Sequence, residues 1–246
     1  MLADPDAQLQ LLALADLDSE VARLRHAAQT LPVHKEIAEL AARRQDAGNA
    51  LIAANTEVDD LGVAVRKAET ELIPVKARLE RNEARVADGS ISDPKTLRGL
   101  TDEVAHLKRR ISELEDAELE LMEQVEQATA RRDQFAASKA SIETRLRELV
   151  ATRDEAVATL SQQAKQQLAR RPALVGAVPD GLLKLYERLT AKFGRGAARL
   201  ERGRCGGCQL QVTAADLDAY RKAPANEVLR CVECDRILVR TKESGL

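Results

Sequence analysis

The chain has 246 residues, of which 32% are charged and 2% are aromatic, and its formal net charge is −2. This composition is typical of long helices with a narrow apolar face, and it excludes an ordinary globule for most of the chain. A net charge this small excludes a global field that would draw the protein to nucleic acid or to a membrane.

The N-terminal residues and the hydropathy predict a cytoplasmic protein that makes no contact with a membrane. The sequence starts MLADPD, which places acidic residues where a signal peptide needs basic ones. No apolar run approaches the roughly 18 residues that a transmembrane helix needs. In the cytoplasm cysteines stay reduced, so they are available to bind a metal ion.

Two helices are predicted in the first part of the chain, separated by a proline. Apolar residues three and four positions apart predict a helix over residues 5–30, and Pro32 predicts a break or a sharp kink after it. A heptad pattern of apolar residues then runs from Val33 to about Ala87, with seam positions at every seventh residue from Ile37 and from Leu40. Pro74 lies off this seam, so we expect it to kink the second helix without ending it. Two polar residues interrupt the seam: Arg44 and Asn82.

The segment 88–94 (DGSISDP) predicts the turn of a helical hairpin. Gly89 provides the positive φ that a tight turn needs, and Asp93 can accept hydrogen bonds from the first amides of the next helix. Pro94 suits the first position of that helix because its missing amide hydrogen would have no partner there.

The heptad pattern returns from Lys95 to about Arg170, with seam positions at every seventh residue from Leu97 and from Leu100. Pro172 is predicted to end the helix. Since this helix is longer than the one before the turn, we expect the first helix to continue the pairing beyond the kink. Residues 1–172 are therefore predicted to form a kinked antiparallel coiled-coil hairpin within one molecule. The fold class is mainly α.

The remaining chain is predicted to contain a linker with a short helix over residues 173–196, and a small unit over residues 197–246. A capping box that begins at Thr213 predicts a helical turn as far as about Arg221. Short strands are predicted at residues 197–204, 209–212, 228–230 and 237–240.

The four cysteines of the chain form two C-x-x-C pairs in this last unit: Cys205, Cys208, Cys231 and Cys234. Two such pairs complete a tetrahedral thiolate shell around one Zn²⁺, whereas a redox motif needs only one pair and a disulfide framework suits secreted proteins. Four thiolates leave no open coordination position, so the predicted zinc is structural and not catalytic. We expect the ribbon to unfold without it. We also expect Asp235, after the second pair, to adopt a left-handed conformation.

Arginines concentrate around these cysteines, and seven of them are candidate contacts to nucleic acid or to a protein partner: Arg195, Arg199, Arg202, Arg204, Arg230, Arg236 and Arg240. Three of them, Arg199, Arg202 and Arg204, approach the first cysteine pair together and are suited to phosphate contacts. However, Tyr220 is the one residue of the ribbon with a face for stacking bases, so the residues favour a protein-docking or solvated surface over nucleic acid. No catalytic motif occurs, and we expect no enzyme activity and no small-molecule substrate.

Several stretches of the chain resemble one bacterial family, the C4-type zinc-ribbon proteins with an N-terminal coiled-coil hairpin. They are GSISDPKTL at 89–97, LEDAELELM at 114–122, LYERL at 185–189, CGGC at 205–208 and RCVECDRIL at 230–238. The resemblance implies that the four cysteines ligate zinc and that the protein is a non-enzymatic adaptor. Some members of the family act in flagellar or secretion-linked gene expression, where they touch an alternative sigma factor or RNA. We therefore expect a protein partner of the transcription-apparatus or sigma-factor type, with RNA or DNA as the alternative.

Overall fold

Five helices and four short strands make up the computed structural model, which describes all residues from 1 to 246. The helices are α1 (Pro5–Gln29), α2 (Val33–Ala87), α3 (Pro94–Gly176), α4 (Asp180–Phe193) and α5 (Ala214–Lys222). The strands are β1 (Ala197–Glu201), β2 (Arg204–Cys205), β3 (Leu229–Arg230) and β4 (Ile237–Val239). None of the helices combines the length and the apolarity that crossing a membrane requires.

The chain forms two units, which we call the hairpin unit (residues 35–150) and the ribbon unit (residues 1–34 with 151–246). In the hairpin unit α2 and α3 pair through the predicted heptad seam. All seven buried residues of this unit lie at predicted seam positions: Ala54, Leu72, Asn82, Leu107, Ile111, Ala128 and Leu149. The sequence pattern therefore identified the contact face of both helices correctly, because heptad spacing places every seam residue on one side of a helix.

Ion pairs between the two long helices confirm that the helices run antiparallel. Glu36 pairs with Arg145 at 3.1 Å, and Glu83 pairs with Lys108 at 2.8 Å. The residue number on α3 thus falls as the number on α2 rises. These side chains are about half exposed, and exposed pairs contribute at most about 1 kcal/mol each, so the apolar seam supplies most of the stability.

The hairpin turn forms as predicted. Gly89 has a φ of 70°, and the carboxylate of Asp88 accepts a hydrogen bond from the amide of Ser90 at 2.8 Å. Asp93 begins α3 by accepting hydrogen bonds from the amides of Lys95 and Thr96, at 3.3 and 3.0 Å. The hydrogen bonds from Thr96 are the main reason that the pKa of Asp93 lies below its usual value. The turn is therefore fixed by local hydrogen bonds and one positive φ.

One polar residue of the predicted seam is buried without a partner. Asn82 is 8% exposed, and its side-chain Nδ2 has no hydrogen-bond partner. An unsatisfied buried polar group costs about 1–3 kcal/mol. The other polar position, Arg44, is exposed. Asn82 is therefore a local weakness of the hairpin seam.

The ribbon unit contains a four-stranded sheet in the order β2-β1-β4-β3. Strand β1 is parallel to β4, with Ala197 opposite Ile237, and the outer pairs are antiparallel. The strand predicted over residues 197–204 is interrupted, because Arg202 and Gly203 have φ angles of 50° and 70° and form a tight turn between β1 and β2. The strand predicted over residues 209–212 is reduced to one isolated bridge, between Arg204 and Gln211.

The main core of the ribbon unit lies between α1, α4 and the sheet. Its fully buried members include Leu11, Leu14, Leu182, Tyr186 and Ile237. The N-terminal residues complete this arrangement, since the amide of Ala3 donates to the carbonyl of Asn226 at 2.8 Å. The first helix is therefore a core element of the ribbon unit, a role that its sequence pattern did not reveal.

Helix α3 continues through Pro172 to Gly176, so the predicted helix end is wrong. A proline inside a helix costs about 3 kcal/mol, so other contacts must offset it. Leu174 and Val175, in the extra turn, pack against the main core, and Arg171 pairs with Asp18 at 2.9 Å. These contacts explain why the first residues of the predicted linker, 173–176, remain helical.

Candidate metal centre and arginine cleft

The two cysteine pairs meet at one point of the ribbon unit. The Sγ atoms of Cys205 and Cys234 are 3.8 Å apart, and those of Cys208 and Cys231 are 3.9 Å apart. All four Sγ atoms lie within 4.8 Å of one another. A tetrahedral ion with Zn–S bonds of about 2.3 Å separates its sulfur ligands by about 3.8 Å. The four thiols therefore fit one Zn²⁺ and leave no coordination position for a substrate.

Each cysteine pair lies on a turn with the same backbone geometry, and we call these turns the first knuckle (residues 205–209) and the second knuckle (residues 231–235). The amide of Gln209 donates to the carbonyl of Cys205 at 2.8 Å, and the amide of Asp235 donates to the carbonyl of Cys231 at 2.9 Å. Gln209 and Asp235 have φ angles of 62° and 61°. The left-handed conformation predicted for Asp235 is confirmed, and the first knuckle repeats it at Gln209.

Close packing explains the glycines of the first knuckle. The amide of Gly207 donates to the Sγ of Cys205 at 3.4 Å, as expected for a thiolate ligand of a metal. A Cβ atom on Gly207 would lie 2.7 Å from the Cδ atom of Arg236, so a larger residue would displace that side chain. The backbone thus approaches the sulfur atoms and the neighbouring arginine at once.

Burial of the cysteine thiols opposes their ionisation. It raises the pKa of Cys205 to about 12 and also raises the pKa of Cys231. At Cys234 burial again opposes ionisation, but hydrogen bonds from Arg236 and the neighbouring thiols lower the pKa to about 7. A buried cluster of four thiolates is thus stable only with a compensating cation, which is the charge that a structural Zn²⁺ supplies.

A small apolar cluster surrounds the cysteines. It contains Leu200, Val212, Leu229 and Leu238, together with the buried Cys205 and Cys231. Tyr220 belongs to it as well, is only 8% exposed, and donates its hydroxyl hydrogen to the carbonyl of Arg230 at 2.7 Å. The one aromatic side chain on which base stacking would depend is therefore packed inside.

Three of the candidate arginines bind the backbone of the ribbon unit: Arg230, Arg236 and Arg240. They donate, in that order, to the carbonyl oxygens of Asp235 at 2.8 Å, Phe193 at 3.1 Å and Pro224 at 2.8 Å. Each links a turn to a neighbouring segment. These three guanidinium groups thus stabilise the fold.

The other four candidates line one cleft of about 580 Å³: Arg195, Arg199, Arg202 and Arg204. Asp16 of α1 accepts hydrogen bonds from Arg195 at 2.5 Å and from Arg199 at 2.8 Å. The side chains of Arg202 and Arg204 are exposed and form no hydrogen bond or ion pair. We call this feature the arginine cleft.

Three further residues of the cleft carry no signal in the sequence alone. Gln209 and Gln211 line the cleft beside the arginines, and Asp16 reaches it from the first helix. Asp16 is about 180 residues away from its arginine partners in the chain, so no local spacing predicts the contact. Gln209 directly follows the first C-x-x-C pair, and no sequence pattern marks it as a cleft residue.

The hairpin and the four-thiol centre define a class of protein, a long helical hairpin that carries a C4 zinc ribbon. Residues 14–194 match the family described as the CT398-like coiled coil hairpin domain, and residues 204–238 match the C4-type zinc ribbon domain. The first match covers more than half of the chain. The chain therefore belongs to the CT398-like coiled-coil hairpin family, and its cofactor is one structural zinc ion.

Relatives of similar length share this organisation. The Mycobacterium tuberculosis protein Rv2229c is 33% identical over 240 residues, which is 98% of either chain. A solved structure from Mycobacterium smegmatis is 33% identical, covers 98% of this chain and 100% of its own, and gives a TM-score of 0.86. The structure of CT398 from Chlamydia trachomatis is 21% identical, covers 96% of this chain and 98% of its own, and gives a TM-score of 0.70, which shows the same fold. The names of these relatives describe no enzyme activity.

Proposed function

We propose that the protein is a cytoplasmic, non-enzymatic adaptor that binds a protein partner through its ribbon unit and its hairpin. The zinc centre supports this role because its four thiols leave no position at which a substrate could bind the metal. Zinc then acts by fixing the shape of a small surface. The partner implied by the family resemblance is a component of the transcription apparatus, such as an alternative sigma factor.

The observation that carries the proposal is the arginine cleft beside the metal centre. Arg202 and Arg204 are exposed on a turn and a strand that lead directly into the first knuckle. Exposed guanidinium groups without internal partners contribute little to the fold, but they supply charge-assisted hydrogen bonds to a partner. The fold thus presents a polar, positively charged surface beside the metal centre.

Crosslinking in cells, followed by reconstitution with purified proteins, tests the adaptor proposal. We expect one partner to be recovered by the full-length protein and to form a binary complex with it in vitro. Chelation of zinc should abolish any contact that depends on the ribbon, and added zinc should restore it. The proposal fails if every crosslinked protein lacks affinity for the purified full-length chain.

Binding of nucleic acid through the ribbon arginines is the second candidate function. Four arginines on one cleft favour it, because guanidinium groups bind phosphates well. It predicts an affinity for RNA or DNA that falls steeply with salt, and a salt slope that decreases by about one for each phosphate-binding arginine removed. A salt titration of the wild type and of R199A/R202A decides between the two functions.

A further inference from the structure

The arginine cleft has more hydrogen-bond donors than the fold uses. Asp16 occupies parts of Arg195 and Arg199, but the guanidinium groups of Arg202 and Arg204 have no protein partner. Two guanidinium groups two residues apart on the β1–β2 hairpin match two carboxylates, since each can form a bidentate pair. The vacant donors thus have the chemistry of a carboxylate-binding site.

The backbone of the cleft supports a binding role for its side chains. The chain contains three residues other than glycine with a positive φ, and two of them, Arg202 and Gln209, line this cleft. The hairpin turn and the knuckle impose these conformations, which glycine and asparagine adopt with less strain. The backbone thus accounts for the conformations but not for the choice of arginine and glutamine. Strained positions of this kind are typical of functional sites.

The surroundings of the cleft favour a peptide over nucleic acid. Tyr220 is buried, and the ring of Phe193 is covered by the cations of Lys192 and Arg236, so neither aromatic is free to stack on a base.

Two exposed apolar side chains lie on or directly after the knuckles. Leu210 is 52% exposed between the two glutamines of the cleft, and Val232 is 56% exposed on the second knuckle. Exposed apolar residues next to charged ones are typical of protein interfaces. A partner that contributes both carboxylates and an apolar side chain would match this surface.

We propose that the arginine cleft is the docking site for an acidic peptide segment of the protein partner. Arg202 and Arg204 bind its carboxylates, while Asp16 positions Arg195 and Arg199 at the wall of the cleft. This inference rests on the proposed adaptor function and specifies the chemistry of its partner.

The test measures fluorescence anisotropy of a fluorescein-labelled peptide of glutamate, aspartate and leucine with the full-length, zinc-loaded protein. A peptide with glutamine and asparagine in place of the acids is the control ligand, and a labelled single-stranded RNA is the third probe. We expect the acidic peptide to bind and the neutral peptide to bind at least about tenfold more weakly, because charge-assisted hydrogen bonds are lost.

Two double variants with the same change in net charge make the test specific. R202A/R204A should weaken the acidic peptide at least about tenfold, since both carboxylate partners are removed. R188A/R221A, which removes two exposed arginines outside the cleft, should leave the affinity unchanged. Zinc content and circular dichroism confirm that both variants fold.

The possible results separate the inference from the adaptor proposal. The docking site is refuted if the acidic peptide does not bind at low salt, if both double variants weaken it equally, or if the RNA binds more tightly and is lost in R202A/R204A. If the crosslinked partner still binds R202A/R204A at full affinity, the adaptor function stands and the cleft is not its docking site. If the acidic peptide binds but no crosslinked partner does, the cleft binds acidic segments and the adaptor proposal fails.

Discussion

Replacement of Asn82 by leucine should stabilise the hairpin unit. Asn82 is 8% exposed in the apolar seam, and its Nδ2 atom has no partner. Leucine has nearly the shape of asparagine, so N82L exchanges an unsatisfied amide for methyl groups without a large change in volume. Removal of an orphaned polar group restores about 1–3 kcal/mol, so we expect the local free energy of unfolding to rise by about 2 kcal/mol.

Native-state hydrogen exchange measures this change locally, which avoids mixing the unfolding of the two units. An increase of about 2 kcal/mol corresponds to a rise of about thirtyfold in the protection factors of amides near residue 82. N55L provides the matched control, because Asn55 is an exposed asparagine on the same helix. We expect N55L to change protection by less than about 0.5 kcal/mol. Unchanged or reduced protection in N82L, with the control neutral, would refute the reasoning.

Three further predictions concern the ribbon unit and the turn. Zinc removal should eliminate the hydrogen-exchange protection of residues 195–246, since metal binding of this type contributes about 10–16 kcal/mol. The helical circular dichroism that residues 35–150 contribute should persist. A ribbon that stays protected after chelation would contradict this. R202N should raise the stability of the ribbon unit by about 1 kcal/mol, measured by denaturant unfolding, because asparagine tolerates a left-handed conformation that strains arginine. It should also weaken binding of the acidic peptide, because it removes one guanidinium group. The pKa of Asp93 lies below its usual 3.8 because of hydrogen bonds from Thr96, so its contribution is complete above about pH 4 and is lost as the pH falls through the folded pKa. An NMR titration of Asp93 that gives a normal pKa would contradict this last prediction, and D93N should abolish the pH dependence at the start of α3.

The parts of the structure that depend on local spacing followed from the sequence. Heptad spacing identified every buried residue of the hairpin unit, and the two C-x-x-C pairs identified the zinc centre. Asp93 and Thr213 were recognisable as helix caps, because a cap depends on residues at most three positions away. These features share one physical cause, which is that the interacting groups are close in the chain or repeat with a fixed period.

The parts that depend on distant contacts did not follow from the sequence. Pro172 was predicted to end α3, but packing of Leu174 and Val175 against the core keeps the next turn helical. The contact of Asp16 with Arg195 joins residues from opposite ends of the sequence, and no local pattern carries information about it. Sheet order is non-local for the same reason, since β1 pairs in parallel with β4 across most of the ribbon.

The ribbon unit is assembled from two separate stretches of the chain, residues 1–34 and residues 151–246, with the hairpin unit inserted between them. If the inserted segment were a flexible loop, closing its more than one hundred residues would cost about 4 kcal/mol of entropy. The seam between α2 and α3 offsets that cost within the hairpin unit, where the ion pair between Glu36 and Arg145 joins residues near both ends of the segment. We therefore expect formation of the hairpin to assist assembly of the metal centre. A substitution that weakens its seam should slow the acquisition of zinc, although no hairpin residue is a ligand.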